Sequence, residues 1–108
     1  MLMKITESTF REILNDTKVP VVVSFGATWC GPCKAFTPIF EEAGEIAKQD
    51  KENPIVFIKL DIDECEQLAS DLNIQVVPSV LVFENSQVIK SKQGGFKTAK
   101  ELLAFAKE

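Results

Sequence analysis

The chain has 108 residues, with 12 Lys and Arg against 16 Asp and Glu, and a formal net charge of −4. This length predicts one domain spanning residues 1–108, and an apolar fraction of 45% is enough to fill its core. Histidine is absent, which excludes Ser-His-Asp triads, imidazole bases and His-bearing metal sites, and the acidic balance disfavours binding to nucleic acid.

The first predicted element is a helix whose apolar residues recur at helical spacing: Phe10, Ile13 and Leu14. Thr6 and Thr9 are candidate N-caps, and Glu12 stands three residues after Thr9, which is the spacing of a capping box. Residues 19–25 follow as a nearly continuous β-branched apolar run. Such a run is typical of a strand covered on both faces, as in a parallel sheet.

A long helix is predicted from Gly31 to Lys48, with an inward face of five apolar residues: Phe36, Ile39, Phe40, Ala43 and Ile46. Residues 54–60 are apolar and form a second buried strand. Asp63 is expected to cap a short helix that follows this strand and ends at about Leu72, because a carboxylate there can accept unpaired backbone amides.

Two short extended runs, residues 79–83 and 87–91, are separated by a tight connection, which predicts an antiparallel hairpin. Gly94-Gly95 then breaks the chain, and Thr98 with Glu101 has capping-box spacing for a last helix. This helix is predicted to bury Leu102, Leu103 and Phe105. The order of elements predicts an α/β fold, a three-layer α/β/α sandwich with a mixed central sheet and helices on both faces.

Three cysteines, at positions 30, 33 and 65, carry the chemistry that remains. An odd count with two members three residues apart does not suit a disulfide-stapled secreted domain. No apolar run has the length of a signal peptide or of a membrane span. We therefore expect a reducing cytoplasmic location and neither a membrane nor a nucleic-acid partner, although a cleaved leader stays an open alternative.

Cys30 and Cys33 stand where the first strand ends and the long helix begins. Unpaired amides and the helix dipole favour a thiolate at Cys30, and Lys34 adds a nearby cation. Cys33 lies on the same helical face, within reach of the Cys30 sulfur. Pro32 fits the first turn, where its missing amide hydrogen has no helical acceptor. The pattern predicts dithiol–disulfide exchange in which Cys30 attacks a client disulfide and Cys33 resolves the mixed disulfide.

A structural zinc site is one alternative for such a pair, but zinc needs four ligands and only Cys65 remains to contribute. An accidental pair is another alternative, which the position between strand and helix disfavours. The sequence therefore predicts no metal site and no resident cofactor.

The segment Trp29-Cys30-Gly31-Pro32-Cys33-Lys34 and the later Val77-Pro78-Ser79 resemble the thioredoxin family. The resemblance covers essentially the whole chain, including residues 59–63 and Gly94-Gly95. It implies a thioredoxin fold and a monomeric protein-disulfide reductase. It further implies protein clients with accessible disulfides and recycling by thioredoxin reductase with electrons from NADPH.

The resemblance also implies that Pro78 is preceded by a cis bond, faces the cysteine pair and leaves the backbone of Val77 free to pair with an extended client. An apolar docking face is then expected from residues around the pair: Trp29, Gly31, Pro32, Ile62, Val77 and Gly94. A simple turn is the alternative role for Gly94, and the two roles are compatible.

Ser24 departs from the family pattern, in which a buried Asp exchanges protons with the resolving cysteine and partners a lysine matching Lys59. Serine is not a general base near neutral pH, so activation of Cys33 is expected to rely on water or on Cys30. Lys59 either reaches solvent while Ser24 bonds to backbone or water, which we favour, or the two form a tuned pair. Gly26 replaces a frequent family tryptophan and removes packing beside the site.

Cys65 lies between Glu64 and Glu66, so its reactivity is undecided: a helix dipole lowers the pKa of the thiol and neighbouring carboxylates raise it. An inert buried thiol is favoured over an intermolecular disulfide or a regulatory modification. Two alternative functions are a thioredoxin-fold oxidant or isomerase and a non-enzymatic, chaperone-like binding module. Gly31-Pro32 favours the reductase, because oxidants and isomerases usually carry a histidine between the cysteines.

Overall fold

A computed structural model describes residues 6–107 of the chain. All the predicted helices and strands are present, with ends shifted by a few residues. Their bounds, in chain order, are α1 (Glu7–Asp16), β1 (Val21–Gly26), α2 (Gly31–Gln49), β2 (Val56–Asp61), α3 (Glu66–Asp71), β3 (Ser79–Glu84), β4 (Gln87–Gln93) and α4 (Ala99–Lys107). Every helix among residues 6–107 falls short of the length or the hydropathy that crossing a bilayer requires.

The four strands form one mixed sheet in the order β2-β1-β3-β4. β1 and β2 run parallel, whereas β1–β3 and β3–β4 are antiparallel. This arrangement confirms the predicted mixed sheet and brings the carboxyl ends of β1 and β2 together at one edge. In the register of these two strands, Ser24 is opposite Lys59 and Gly26 is opposite Asp61.

The sheet is covered on both faces, as the unbroken apolar run of β1 predicts. One core lies between the sheet and helices α2 and α4, and includes Val22, Phe40 and Leu102. The other lies against α1 and α3 and includes Phe10 and Phe25. All six residues of β1 are buried. Full burial of each large side chain contributes about 1.5–3 kcal/mol, so both faces anchor the strand that leads to Cys30.

Among the predicted helix caps, the candidate Thr6 is confirmed, whereas the Thr9–Glu12 box and the Asp63 cap are wrong. Thr6, one turn before the predicted box, caps α1 by accepting a hydrogen bond from the Thr9 amide at 3.2 Å, so Thr9 is inside the helix instead of pairing with Glu12 as a cap. α3 begins at Glu66 without any side-chain cap from its own N-cap residue. Asp63 does not cap it, and its carboxylate instead accepts a hydrogen bond from the indole of Trp29, in the connection between β1 and α2.

The cap of α3 comes instead from α1. Glu7 Oε1 accepts a hydrogen bond from the Leu68 amide at 3.2 Å, and the two residues are 61 positions apart. Arg11 joins the same contact, with Nη2 at 3.2 Å from Glu7 and 3.3 Å from Asp71. The two helices on this face are thus joined at both ends of α3.

At the other end of the chain, the Thr98 half of the predicted capping box of α4 is confirmed: the Glu101 amide donates to Thr98 Oγ1 at 3.1 Å, and this hydroxyl in turn donates to Glu101 Oε1 at 3.3 Å. The hairpin between β3 and β4 turns on Asn85 and Ser86, both at positive φ, as in a two-residue hairpin loop. Ile46 was predicted to face the core. This prediction is wrong, because the side chain is 44% exposed near the C-terminal end of α2.

Candidate functional site

The site begins where β1 ends and α2 starts. Cys30 is the N-cap residue of α2, and its Sγ accepts a hydrogen bond from the Cys33 amide at 3.1 Å. The backbone carbonyl of Cys30 accepts the Lys34 amide at 3.3 Å, which opens the helical ladder. The predicted position of Cys30 at the helix start is therefore confirmed. Gly31, Pro32 and Lys34 are exposed on the first turn.

Cys30 and Cys33 are joined by a disulfide bond, with Cα atoms 5.3 Å apart. Both side chains are buried. Within residues 6–107, no group of three or more His, Cys, Asp or Glu side chains is placed to hold a metal ion. When reduced, such a pair can attack another disulfide through one thiolate and then close the bond between its own two sulfurs, leaving the other disulfide as two thiols.

The segment before β3 lies directly opposite the pair. The Val77–Pro78 peptide bond is cis, as expected, and the Val77 carbonyl oxygen is 3.7 Å from Cys30 Sγ. Ile62 and Val77 pack against the small cluster of Ala27, Cys30 and Cys33. The Gly94 amide donates to the Pro78 carbonyl at 2.7 Å. Two parts of the predicted docking face, the Gly94 turn and the Val77–Pro78 segment, are therefore in direct contact.

Trp29 is the most exposed large apolar side chain that the described residues place beside the pair, at 66%. Its indole Nε1 donates to Asp63 Oδ2 at 2.8 Å. The Asp63 amide in turn donates to Asp61 Oδ1 at 2.8 Å. The loop after β2 therefore holds the indole against the carboxyl edge of the sheet.

The sequence reasoning missed this role of Asp63. A usable signal was present: the carboxyl ends of two parallel neighbouring strands lie side by side, so acidic residues after β2 come close to the segment after β1. Val76 was missed as well. It is 43% exposed next to Val77, and because single exposed apolar residues are common on protein surfaces, the sequence offered no signal for it.

A family model described as Thioredoxin matches residues 1–108. The chain belongs to the thioredoxin family. Thioredoxin 1 of Nostoc sp. is 36% identical over 86 residues, covering 80% of this chain and 77% of that protein. Thioredoxin of Oryctolagus cuniculus is 36% identical over 93 residues, with 85% and 84% covered.

The fold comparison agrees with this assignment. A solved structure of Plasmodium falciparum thioredoxin superimposes with a TM-score of 0.82 at 30% identity, covering 94% of this chain and 95% of that one. Thioredoxins are thiol–disulfide oxidoreductases, and this chain is accordingly a disulfide reductase with a redox-active cysteine pair. The predicted family, fold class and enzyme class are confirmed.

The two departures from the thioredoxin pattern lie on one face of β1, beneath the pair. Ser24 is 5% exposed. A Cβ atom built on Gly26, two residues further along the same face, would be 3.4 Å from Cys33 Sγ. Lys59, opposite Ser24 in the register of the two strands, is half-buried.

Cys65 is separate from this site. It is 1% exposed, and it packs in the core between the sheet and helices α1 and α3. Burial raises the pKa of the Cys65 thiol, and the negative charges of Glu7, Glu64 and Asp61 raise it further. A raised thiol pKa disfavours the reactive thiolate, which supports the interpretation of Cys65 as an inert core residue.

Mild peroxide oxidation of the pre-reduced protein is expected to modify Cys30 and Cys33 and to leave Cys65 unmodified, because that thiol is buried and kept protonated. Peptide mass spectrometry of the folded and of the urea-unfolded protein checks this.

The raised pKa of the Cys65 thiol also has a consequence for stability: above the pKa of the unfolded thiol, the unfolded state loses its proton first. The free energy of unfolding should therefore fall as pH rises past that value, and a Cys65→Ala variant should lose that part of the fall.

Modification of Cys65 in the folded protein as fast as in the unfolded protein would contradict this prediction.

Proposed function

We propose that the chain is a general protein-disulfide reductase that works as a single-domain monomer, with Cys30 as the nucleophile and Cys33 as the resolving cysteine. One observation carries the assignment of roles: Cys30 Sγ is at the N-cap position of α2 and accepts the Cys33 amide at 3.1 Å. An amide hydrogen bond and the positive end of the helix dipole both favour a thiolate at Cys30.

In the reduced protein, the Cys30 thiolate attacks one sulfur of a client disulfide. The client S–S bond breaks, a mixed disulfide forms, and the other client sulfur leaves as a thiolate that takes a proton from solvent. Cys33 then loses its proton, attacks Cys30 Sγ and expels the second client thiolate. Two electrons pass to the client, which gains two thiols, while the protein gains the Cys30–Cys33 disulfide. The 5.3 Å Cα separation lies within the usual range for a disulfide-bonded pair.

The proposed client surface surrounds Cys30. An extended client segment pairs with the backbone of Val77, whose carbonyl is already 3.7 Å from Cys30 Sγ. Trp29, Ile62 and Gly94 supply apolar contacts on either side, and the exposed Val76 extends them. Because backbone pairing ignores most side chains, this surface selects accessible disulfides and tolerates many sequences.

Recycling requires an electron donor after each turnover, since the Cys30–Cys33 disulfide is the end point of the reaction. We propose thioredoxin reductase, drawing on NADPH, so that the chain carries electrons between that enzyme and its clients. The proposed location is the cytoplasm, where a dithiol of this kind is kept reduced. Membranes and nucleic acids are not among the proposed partners.

Reduction of insulin disulfides tests this function. The expected result is that NADPH oxidation requires the chain, thioredoxin reductase and insulin together, and that dithiothreitol can replace the reductase and NADPH. Absence of insulin reduction with either donor would instead favour a non-enzymatic binding module. A chain that oxidises a reduced client faster than it reduces insulin would favour an oxidant or isomerase.

Ser24→Asp is expected to raise the rate of insulin reduction about tenfold near neutral pH and to change its profile between about pH 6 and 9, since a carboxylate beneath Cys33 supplies the general base that this chain lacks. Burial raises the pKa of the new carboxyl group toward that range. Ser24→Asn is the matched control, because it has the same size and cannot titrate.

Equal rates for wild type, Ser24→Asp and Ser24→Asn across this pH range would contradict a role for this position in activating Cys33.

A further inference from the structure

The Gly94-Gly95 turn is held on two sides. The Gly94 amide donates to the Pro78 carbonyl at 2.7 Å. Gly95 packs so closely on α2 that a Cβ atom built there would be 2.7 Å from Phe36 Cδ1. The turn therefore links the segment opposite Cys30 to the helix that carries Cys33.

Lys92, near the end of β4, holds the same turn from a third side. Its Nζ donates to the Gly95 carbonyl at 2.8 Å and lies 4.7 Å from the centre of the Phe96 ring. The side chain is half-buried, and it folds back over the turn that follows its own strand. Hydrogen bonds from a charged donor are stronger than neutral ones, and the ring face adds attraction for the cation.

Lys90 provides an internal comparison. It is two residues earlier on the same strand, half-buried like Lys92, and its Nζ donates to the Phe105 carbonyl at 2.7 Å and lies 5.7 Å from the centre of the Phe105 ring. The chemistry of the two lysines is the same, but Lys90 ties β4 to α4. Of the two lysines, only Lys92 contacts the turn that is hydrogen-bonded to Pro78.

We propose that Lys92 is a positioning residue for client docking. By holding the Gly95 carbonyl, it keeps the Gly94 amide on the Pro78 carbonyl and so fixes the Val77 backbone on which the client pairs. This inference rests on the proposed docking surface. Lys92 touches neither sulfur, so it acts on the affinity for an extended client and leaves sulfur exchange itself unchanged.

Lys92→Met tests the proposal, because methionine keeps the apolar stem and removes the charge and the donor. Pre-reduced protein is mixed with insulin at increasing concentration, and the rate of formation of the Cys30–Cys33 disulfide is measured. We expect the half-saturating concentration to rise about three- to tenfold, with the limiting rate unchanged within about twofold. Lys92→Arg, which keeps charge and donor, should restore the wild-type value.

Three further measurements separate positioning from a general loss of structure. Lys90→Met should lower the melting temperature as Lys92→Met does and leave the half-saturating concentration unchanged. A small aromatic disulfide, which needs no docking, should be reduced at the wild-type rate by Lys92→Met. Hydrogen exchange of the Gly94 amide should be about three- to tenfold faster in Lys92→Met than in wild type.

Equal half-saturating concentrations for wild type and Lys92→Met, or equal Gly94 exchange, would overturn the proposal. Equal effects of Lys92→Met and Lys90→Met on insulin saturation would overturn it as well, since they would indicate a structural role only. If the proposed function is wrong, the wild-type protein will not reduce insulin at all. Hydrogen exchange of the Gly94 amide would still test the contact made by Lys92, because that measurement needs no client.

Discussion

Replacing Cys30 by serine is expected to lower the rate of insulin reduction by at least about 10³-fold, to the background of the electron donor alone. A serine hydroxyl stays protonated at neutral pH and cannot form the sulfur–sulfur bond on which the exchange depends. The fold should be retained, because serine is a preferred N-cap residue and its Oγ can accept the Cys33 amide that now reaches Cys30 Sγ. The loss would thus report on chemistry and not on stability.

The paired variant Cys33→Ser should behave differently. The first attack by Cys30 is intact, but no second thiolate is available, so mixed disulfides with clients should accumulate. Non-reducing electrophoresis followed by mass spectrometry would detect them at Cys30 and would identify the captured clients. Cys65→Ser is the control and should reduce insulin within about twofold of wild type, since the residue is buried away from the pair.

Two outcomes would contradict the assigned roles. Retained activity in Cys30→Ser would place the nucleophile elsewhere. Release of the client from Cys33→Ser at the wild-type rate, abolished only when Cys65 is also replaced, would make Cys65 the resolving thiol.

The second large effect is expected at Gly95. A Cβ atom there would be 2.7 Å from Cδ1 and 2.8 Å from Cγ of Phe36, and 3.3 Å from its Cβ. Phe36 is only 4% exposed and is packed between other aromatic rings, so it has little freedom to move away. Gly95→Ala should therefore destabilise the protein by about 1–3 kcal/mol. Urea unfolding, read as a change in midpoint at constant slope, measures this directly.

Gly31→Ala is the matched control, because a Cβ atom at Gly31 meets nothing within 4 Å. Its free energy of unfolding should change by less than about 0.5 kcal/mol. Trimming the obstacle with Phe36→Leu should make Gly95→Ala less harmful than it is in the wild-type background, giving a favourable coupling energy in a double-mutant cycle. Strictly additive effects would contradict the packing argument.

Much of the fold could be predicted because its determinants are local. The β-branched run in β1 predicted a strand buried on both faces, and Thr98 with Glu101 predicted the start of α4. The position of Cys30 at the strand–helix junction followed from the same patterns. The cis bond before Pro78 did not, since it was expected only from resemblance to a family.

The interactions that could not be predicted join residues far apart in the chain. Asp63 has the residue type of a local helix cap, but the indole of Trp29 takes its carboxylate. The start of α3 is capped by Glu7, whose carboxylate accepts the Leu68 amide from 61 positions away. A local pattern states what a side chain can bind, and the tertiary structure decides which of several possible partners is within reach.

The contact between Glu7 and the Leu68 amide has a consequence for the order in which the molecule folds. α3 has six residues, too few to persist as an isolated helix, and its start is completed by a residue 61 positions earlier. α3 should therefore consolidate only after α1 has docked on the sheet. The loop that carries Asp63 leads directly into α3, so the residue that supports Trp29 is joined through a short helix to a contact made by α1.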